Sequence, residues 1–217
     1  MILKVDKIQK KIKGHQVLDG ISCEMKSGFV YGIYGRNGSG KTMLMRAILG
    51  LIRTDTGTVQ IDGKTIGKEI DFPESIGAII ETPGFFAYAT GYENLRLLAD
   101  IKSKIGDIEI REAMNRVGLD DKDKRTVSKY SLGMKQRLAI AQAIMEKPDL
   151  LVLDEPTNAL DEEAVRMFRN IIEDEVKRGA LVILASHNKE DIDILADVKI
   201  KMEAGKIAEM SDIVEGE

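Results

Sequence analysis

A glycine-rich segment near the start of the chain carries the strongest chemical signal. Residues 35–42 read G-R-N-G-S-G-K-T, between the apolar run 29–34 and a helical pattern with Leu44 and Ile48. This strand-loop-helix pattern surrounds phosphate oxygens with backbone N–H groups and a helix N-terminus, so it predicts a nucleoside triphosphate site. We expect Lys41 to reach the β- and γ-phosphates and the Thr42 hydroxyl to bind Mg²⁺. The candidate binding residues are Gly35, Asn37, Gly38, Ser39, Gly40, Lys41 and Thr42.

Two adjacent carboxylates end a second apolar run. Residues 150–156 read L-L-V-L-D-E-P, so Asp154 and Glu155 follow a predicted strand. Neighbouring residues of an extended chain point to opposite sides, which allows the two carboxylates different tasks. We expect Asp154 to bind Mg²⁺, directly or through water, and Glu155 to accept a proton from the attacking water. An isolated Asp-Glu pair would favour a solvated turn, but the glycine-rich segment upstream favours catalysis.

A histidine follows a third apolar run. Residues 181–185 lead into Ser186 and His187. A lone histidine is usually a surface residue, but its place after another predicted parallel strand favours a role in the same site. We expect a neutral His187 to hydrogen-bond the γ-phosphate or the attacking water.

These residues belong to an alternation of strand and helix patterns. Leu3 and Val5 alternate with charged residues, and Val59 and Ile61 with polar ones, which predicts peripheral antiparallel strands. Nearly continuous apolar runs, typical of parallel strands covered on both faces, lie at 29–34, 150–153 and 181–185. The predicted fold is therefore α/β, with its ligand site at the carboxyl ends of parallel strands.

A helical insertion is predicted in the middle of the chain. Residues 83–129 contain helical patterns at 93–101 and 108–117 but no convincing buried strand. We expect a P-loop NTPase parallel sheet with a flanking antiparallel β subdomain and an inserted helical subdomain. The expected division is a single domain 1–217, with the core and β subdomain at about 1–82 and 136–217 and the helical subdomain at about 83–135.

Composition limits the possible functions. A chain of 217 residues supports one sizeable core, and no apolar run approaches the roughly 18 residues that span a bilayer, so any membrane role belongs to a partner. The net charge of -4 argues against a broad nucleic-acid surface, and no nucleic-acid partner is expected. The N-terminus shows no secretory signal, and the single Cys23 fits a reducing compartment as a small buried hydrophobe on a strand.

A further motif introduces a family resemblance. Residues 130–137, Y-S-L-G-M-K-Q-R, resemble the signature motif of ABC transporter ATPase subunits, usually L-S-G-G-Q, and the resemblance covers essentially the whole chain. It implies that Ser131 and Gly133 form a second anion site before a helix. ATP held by Lys41 of one subunit would then be covered by Ser131 of a second copy, or of a related subunit, in a head-to-tail dimer. Residues 158–161 resemble the link across that interface.

Three departures from the family pattern stand out. Glu81 ends a predicted strand where most members have a glutamine that touches Mg²⁺ or water and relays the site to the membrane subunit. We therefore count Glu81 among the catalytic and metal-binding candidates, with an added negative charge. No aromatic residue is present near Ile12 or Lys13 to stack on adenine. Leu132 and Met134 replace a glycine and a glutamine of the signature.

The departures point to a subgroup within the family. Residues 76–86 and 90–95 resemble bacitracin-resistance and lantibiotic-immunity exporters, in which glutamate at position 81 is usual. The resemblance implies an Mg²⁺-dependent ATPase that binds ATP and powers export of antimicrobial peptides or drugs. Its partner would be a transmembrane permease subunit, and its location the cytoplasmic face of the cell membrane.

Two alternative functions stay open. One is a soluble ABC-type ATPase of a non-transport assembly complex, and the other is a low-turnover nucleotide-dependent interaction module. The short spacing between Lys41 and Ser131 leaves no room for a long coiled-coil arm, which argues against a DNA-tethering ATPase.

Overall fold

Two sheets and a set of helices make up the part of the chain that the computed structural model describes, residues 1–81, 84–187 and 189–211. The strands are β1 Ile2–Ile12, β2 His15–Lys26, β3 Val30–Tyr34, β4 Thr56–Ile61, β5 Lys64–Thr65, β6 Ile76–Ile79, β7 Leu150–Asp154, β8 Leu181–Ala185, β9 Val198–Glu203 and β10 Lys206–Met210. The helices are α1 Lys41–Ile48, α2 Gly91–Lys102, α3 Asp107–Arg116, α4 Leu132–Ile144, α5 Glu162–Lys177 and α6 Lys189–Leu195, with a 3₁₀ turn at Val127–Lys129.

The central sheet has six strands in the order β10-β9-β3-β8-β7-β6. All are parallel except β10, which pairs antiparallel with β9 at one edge. Every residue of β7 and β8 is buried, because helices cover one face of the sheet and the second sheet with α1 covers the other. The apolar runs predicted this double burial. The segments that follow β3, β6, β7 and β8 therefore meet at one edge.

The second sheet is antiparallel, as predicted, in the order β2-β1-β4-β5. Leu3, Val5, Val59 and Ile61 are buried and pack with α1 against the central sheet. Cys23 lies on β2 opposite Val5 and is partly buried. Removal from water raises the pKa of its thiol to about 12, so it is a protonated, poorly reactive group at neutral pH.

Helices α2 and α3 form the inserted helical part between β6 and β7. The helix α2 begins at Gly91, two residues before the predicted pattern, because Thr90 caps it. The Thr90 hydroxyl accepts from the backbone N–H of Glu93 at 3.1 Å, and the Glu93 carboxylate accepts from the backbone N–H of Thr90 at 2.7 Å. The inward faces of α2 and α3 pack with α4, so the helical part shares a core with the central sheet.

The boundaries of the helical part are less clearly defined than the helices within it. Pro83, where the sequence predicts its start, lies outside the described residues, and the subdomain boundaries stay a prediction. Within residues 84–129 the only strand-like pairing is the isolated bridge between Thr90 and Thr126, as expected for a helical insertion. No helix in the described ranges combines the length and apolarity needed to cross a bilayer.

Candidate active site

The loop between β3 and α1 depends on glycine for its shape. Gly35 has φ +152°, and a Cβ there would lie 2.3 Å from the carbonyl oxygen of Met202. Gly40 has φ +104°, and a Cβ there would lie 2.8 Å from the carbonyl oxygen of Val17. Backbone of β9 and β2 thus approaches too closely for any side chain. These contacts hold the loop from one side, and its other side lines a cavity of about 600 Å³.

Two buried polar groups belong to this loop. Lys41 is only 6% exposed, and its Nζ donates to the carbonyl oxygen of Gly35 at 2.9 Å. Ser39 is equally buried, and its hydroxyl has no hydrogen-bond partner among the described atoms. Polar and charged groups are costly to bury without partners, and a bound anion would supply partners for both. The predicted residues that line the cavity are Asn37, Gly38, Ser39, Gly40, Lys41 and Thr42, so the loop fits phosphate groups, with Gly35 supporting it from behind.

Thr42 and Asp154 meet directly, although 112 residues separate them in the sequence. The Thr42 hydroxyl donates to Asp154 Oδ2 at 2.6 Å. Burial raises the pKa of Asp154 above its ordinary value, the bond from Thr42 opposes this shift, and the negative charge of Glu155 adds to it. The arrangement brings a hydroxyl and a carboxylate, the oxygen ligands that Mg²⁺ prefers, to one point.

These oxygens suit a magnesium ion that is shared with a nucleotide. The described residues contain no group of three or more His, Cys, Asp or Glu side chains able to hold a metal by themselves. Magnesium in phosphate-transfer sites keeps water and phosphate oxygens and takes one or two protein ligands. Thr42 and Asp154 would hold the ion there, where it would neutralise charge on the β- and γ-phosphates.

Glu155 is held by the segment after the neighbouring strand β8. Its Oε2 lies 2.6 Å from His187 Nδ1, and the backbone N–H of His187 donates to the same oxygen at 3.2 Å. The backbone N–H of Glu155 donates to the carbonyl oxygen of Ala185 at 2.9 Å. Glu155 also has φ +51°, a conformation that costs a non-glycine residue about 1–3 kcal/mol. The sequence predicted both residues but missed their direct contact, which orients the carboxylate.

Glu81 follows β6 and lines the same cavity. Its Oε1 accepts from Arg46 Nη2 at 2.6 Å, and its side chain is 63% exposed. The structure thus brings Glu81 to the predicted site but pairs it with an arginine of α1 that sequence reasoning missed. The available signal was spacing, since Arg46 lies one helical turn after Thr42.

The signature segment, residues 130–137, lines the cavity only in part, through Leu132 and Gln136. Ser131 caps α4 by accepting from the backbone N–H of Met134 at 3.2 Å. Leu132 lines the cavity, whereas Ser131 and Gly133 are not among its lining residues. A Cβ on Gly133 would lie 2.9 Å from the carbonyl oxygen of Ala159, which packs the segment against the loop after β7. The exposed Ser131 hydroxyl is therefore available to another molecule.

The cavity wall also includes a residue of the antiparallel sheet. Val17 of β2 lines it, and no aromatic side chain is present among its lining residues in the described part of the chain. The sequence expectation of weak base recognition stays a prediction.

The fold and the converging strand ends define a P-loop nucleoside triphosphatase with an antiparallel β sheet and a helical insertion. The chain belongs to the ABC transporter family, whose sequence description matches residues 18–158. It is therefore an ATP-binding subunit of the ABC ATPase type, as the signature motif implied.

Several relatives carry names of transport proteins. The chain is 46% identical to the uncharacterized ABC transporter ATP-binding protein YybJ of Bacillus subtilis (strain 168), with 98% of each chain covered. It is 37% identical to the bacitracin transport ATP-binding protein BcrA of Enterococcus faecalis, covering 99% of this chain and 70% of that protein. It is 34% identical to the lantibiotic transport ATP-binding protein SrtF of Streptococcus pyogenes, covering 95% and 89%. The narrower resemblance drawn from the sequence is thus confirmed.

Solved structures agree on the fold. An ATP-binding subunit of an ABC transporter superimposes with a TM-score of 0.88 at 23% identity, covering 98% of this chain and 90% of that one. A bacterial ABC transporter cassette solved as a dimer superimposes with a TM-score of 0.88 at 20% identity, covering 99% and 100%. The predicted fold class is therefore confirmed.

Proposed function

We propose that this chain is the Mg²⁺-dependent ATPase subunit of a membrane exporter of antimicrobial peptides or drugs. The observation that carries the proposal is the convergence of Lys41, Asp154 and Glu155 on one cavity at the carboxyl edge of the sheet. The names of the bacitracin and lantibiotic transport relatives support the class of cargo. Because the described helices include no membrane span, the exporter would need a transmembrane permease partner.

The residues of the cavity take distinct roles in this proposal. Lys41 binds the β- and γ-phosphates, and Thr42 and Asp154 hold the magnesium ion. Glu155 accepts a proton from the water that attacks the γ-phosphorus, so that the bond to the ADP oxygen breaks and phosphate leaves. His187, which is not among the lining residues of the cavity, holds the Glu155 carboxylate in position. Glu81 supplies a further oxygen and a negative charge beside the metal ligands.

The exposed signature segment supports a head-to-tail dimer. Ser131 and Gly133 lie outside the cavity of their own chain, and the Ser131 hydroxyl is exposed at the N-terminus of α4. A helix N-terminus with exposed N–H groups favours an anion, so Ser131 of one subunit can cover the triphosphate of the other. Glu155→Gln, which slows hydrolysis, should accumulate as a dimer with ATP on size exclusion, and Ser131→Arg in the same background should return it to monomer.

An apolar groove on the helical part fits a permease. A cavity of about 640 Å³ is lined by Phe86, Ala87, Tyr88, Ala89, Tyr92, Glu93, Arg96 and Leu97. Tyr88 is 93% exposed and Phe86 66%, and exposed apolar patches of this kind mark interaction sites. The buried Asn94 fixes the loop by accepting from the Phe86 backbone N–H at 2.7 Å and donating to its carbonyl oxygen at 3.1 Å. Docking here would hold the chain at the cytoplasmic face of the membrane.

Affinity purification from the native host tests this function. The tagged chain, extracted in mild detergent, should co-purify with a polytopic membrane protein. Tyr88→Ala should lose that protein while it keeps basal phosphate release, and Ile101→Ala, which removes an exposed apolar side chain outside the groove, should keep it. Co-purification with a scaffold protein instead would support the soluble assembly ATPase. Near-zero phosphate release with Glu155 intact would support the low-turnover module.

A further inference from the structure

Helix α1 presents two side chains, one turn apart, to two neighbouring strand ends. Thr42 donates to Asp154, the last residue of β7, at 2.6 Å, and Arg46 donates to Glu81, which follows β6, at 2.6 Å. Residues four apart lie on the same face of a helix, and β6 and β7 are adjacent in the sheet. The helix that follows the phosphate loop thus contacts both acidic strand ends at once.

The charges around the cavity are unbalanced without Arg46. Glu81, Asp154 and Glu155 line it, and Lys41 is the single cationic side chain among its lining residues in the described chain. A nucleoside triphosphate adds further negative charge to the same space. Arg46 is not among the lining residues, its side chain is 29% exposed, and it pairs with the carboxylate that glutamate adds at position 81.

Glu81 also depends on its surroundings to keep its conformation. Its φ of +60° belongs to the left-handed region, which a non-glycine residue adopts only when other contacts hold it. The side chain is 63% exposed, so the bond from the better-buried Arg46 is a contact that fixes where the carboxylate points.

We propose that Arg46 is a positioning residue of the nucleotide site. It holds the Glu81 carboxylate in an ion pair and offsets its charge, so that a glutamate at this position does not repel the triphosphate. Its effect on the site passes through Glu81, to which Arg46 Nη2 donates. The inference rests on the nucleotide-binding role proposed for the cavity, and it adds a residue that does not line it.

The test is a double-mutant cycle read by equilibrium binding of a fluorescent ATP analogue, so that turnover plays no part. Wild type, Arg46→Ala, Glu81→Gln and the double variant are titrated in EDTA and in saturating Mg²⁺. In EDTA, Arg46→Ala should weaken binding about fivefold, since it frees a carboxylate near the phosphates in a partly exposed site. In the Glu81→Gln background the same change should cost less than about twofold. Saturating Mg²⁺ should reduce the fivefold penalty, because the cation neutralises the freed carboxylate.

Two controls separate charge from structure. Arg46→Lys keeps the positive charge and should bind within about twofold of wild type. Arg166→Ala removes a charge of the same sign from an exposed pair with Glu162 on α5 and should leave affinity unchanged. Equal penalties for Arg46→Ala in the wild-type and Glu81→Gln backgrounds, or no penalty in either, would overturn the inference alone. Failure of wild type to bind the analogue would overturn the nucleotide role of the cavity as well.

Discussion

The carboxylate of Glu155 and the imidazole of His187 lie 2.6 Å apart, although 32 residues separate them in the sequence. They meet because β7 and β8 are neighbours in the sheet and end at the same edge. The backbone N–H of His187 donates to the same carboxylate oxygen. The carboxylate proposed to accept a proton from water is therefore oriented by the histidine, and we treat the two residues as one functional unit.

If the two residues act as one unit, the losses of ATP turnover caused by mutating each of them should not add up in the double variant. Glu155→Gln should cut ATP turnover by roughly 10²- to 10⁴-fold, because the amide cannot accept the proton, and it should leave nucleotide binding intact. His187→Ala should also lower turnover, and the double variant should be little slower than Glu155→Gln alone. Steady-state phosphate release measures the effect.

The second histidine provides a matched control. His15 is exposed at the start of β2, and His15→Ala should keep wild-type turnover. Full turnover in Glu155→Gln would remove this carboxylate as the base, and multiplying losses in the double variant would show that the two residues act independently.

Backbone strain in the phosphate loop gives a second prediction. Gly35→Ala should destabilise the fold strongly, because its Cβ would lie 2.3 Å from the Met202 carbonyl oxygen. Gly38 has φ +79°, and no atom of the described residues lies within 4 Å of where its Cβ would be, so Gly38→Ala should cost only the roughly 1–2 kcal/mol of a left-handed alanine. Urea denaturation compares the two free energies of unfolding. Equal costs would mean that the loop relaxes away from β9.

The sequence predicted the parts of the site that local patterns encode. The phosphate loop and the carboxylates Asp154 and Glu155 follow from short motifs next to apolar runs, and the double burial of β7 and β8 follows from their composition. The bond between Glu155 and His187 could not be read from either motif, because it depends on which strands are neighbours. The ion pair between Glu81 and Arg46 likewise depends on how close α1 lies to the end of β6. Such contacts are long-range consequences of the topology.

The missing adenine-stacking residue gives a third prediction. With Val17 and no aromatic group among the described residues that line the cavity, ATP and GTP should bind within roughly threefold of each other. Ile12→Tyr at the exposed end of β1 should raise ATP affinity about fivefold, since an aromatic stack contributes about 1 kcal/mol. Ile2→Tyr, at the exposed opposite end of the strand, is the control. Strong preference of wild type for ATP would point to base contacts made by other residues.

Burial of the Asp154 carboxylate should lower the stability of the fold, although the proposed metal binding requires this group. Burial raises the pKa of this carboxyl in the folded protein above its unfolded value of 3.8, so the folded state binds the proton more tightly. The contribution of this carboxyl to the free energy of unfolding is therefore fully present below pH 3.8 and is lost as the pH rises through the pKa of the folded state. Asp154→Asn keeps an oxygen that can accept from Thr42 and removes the buried charge. It should raise the melting temperature of the nucleotide-free protein at pH 7.

The pH dependence distinguishes this cause from a general gain in packing. The difference in melting temperature between Asp154→Asn and wild type should shrink toward acid pH, where the wild-type carboxyl is protonated and resembles the amide. The variant should also lose the response of nucleotide binding to Mg²⁺, because the proposed metal ligand is gone. Asp193→Asn, which removes an exposed carboxylate on α6 paired with Lys199, should give no gain at pH 7. A stabilisation of Asp154→Asn that stays constant from pH 7 to pH 4 would contradict the electrostatic origin.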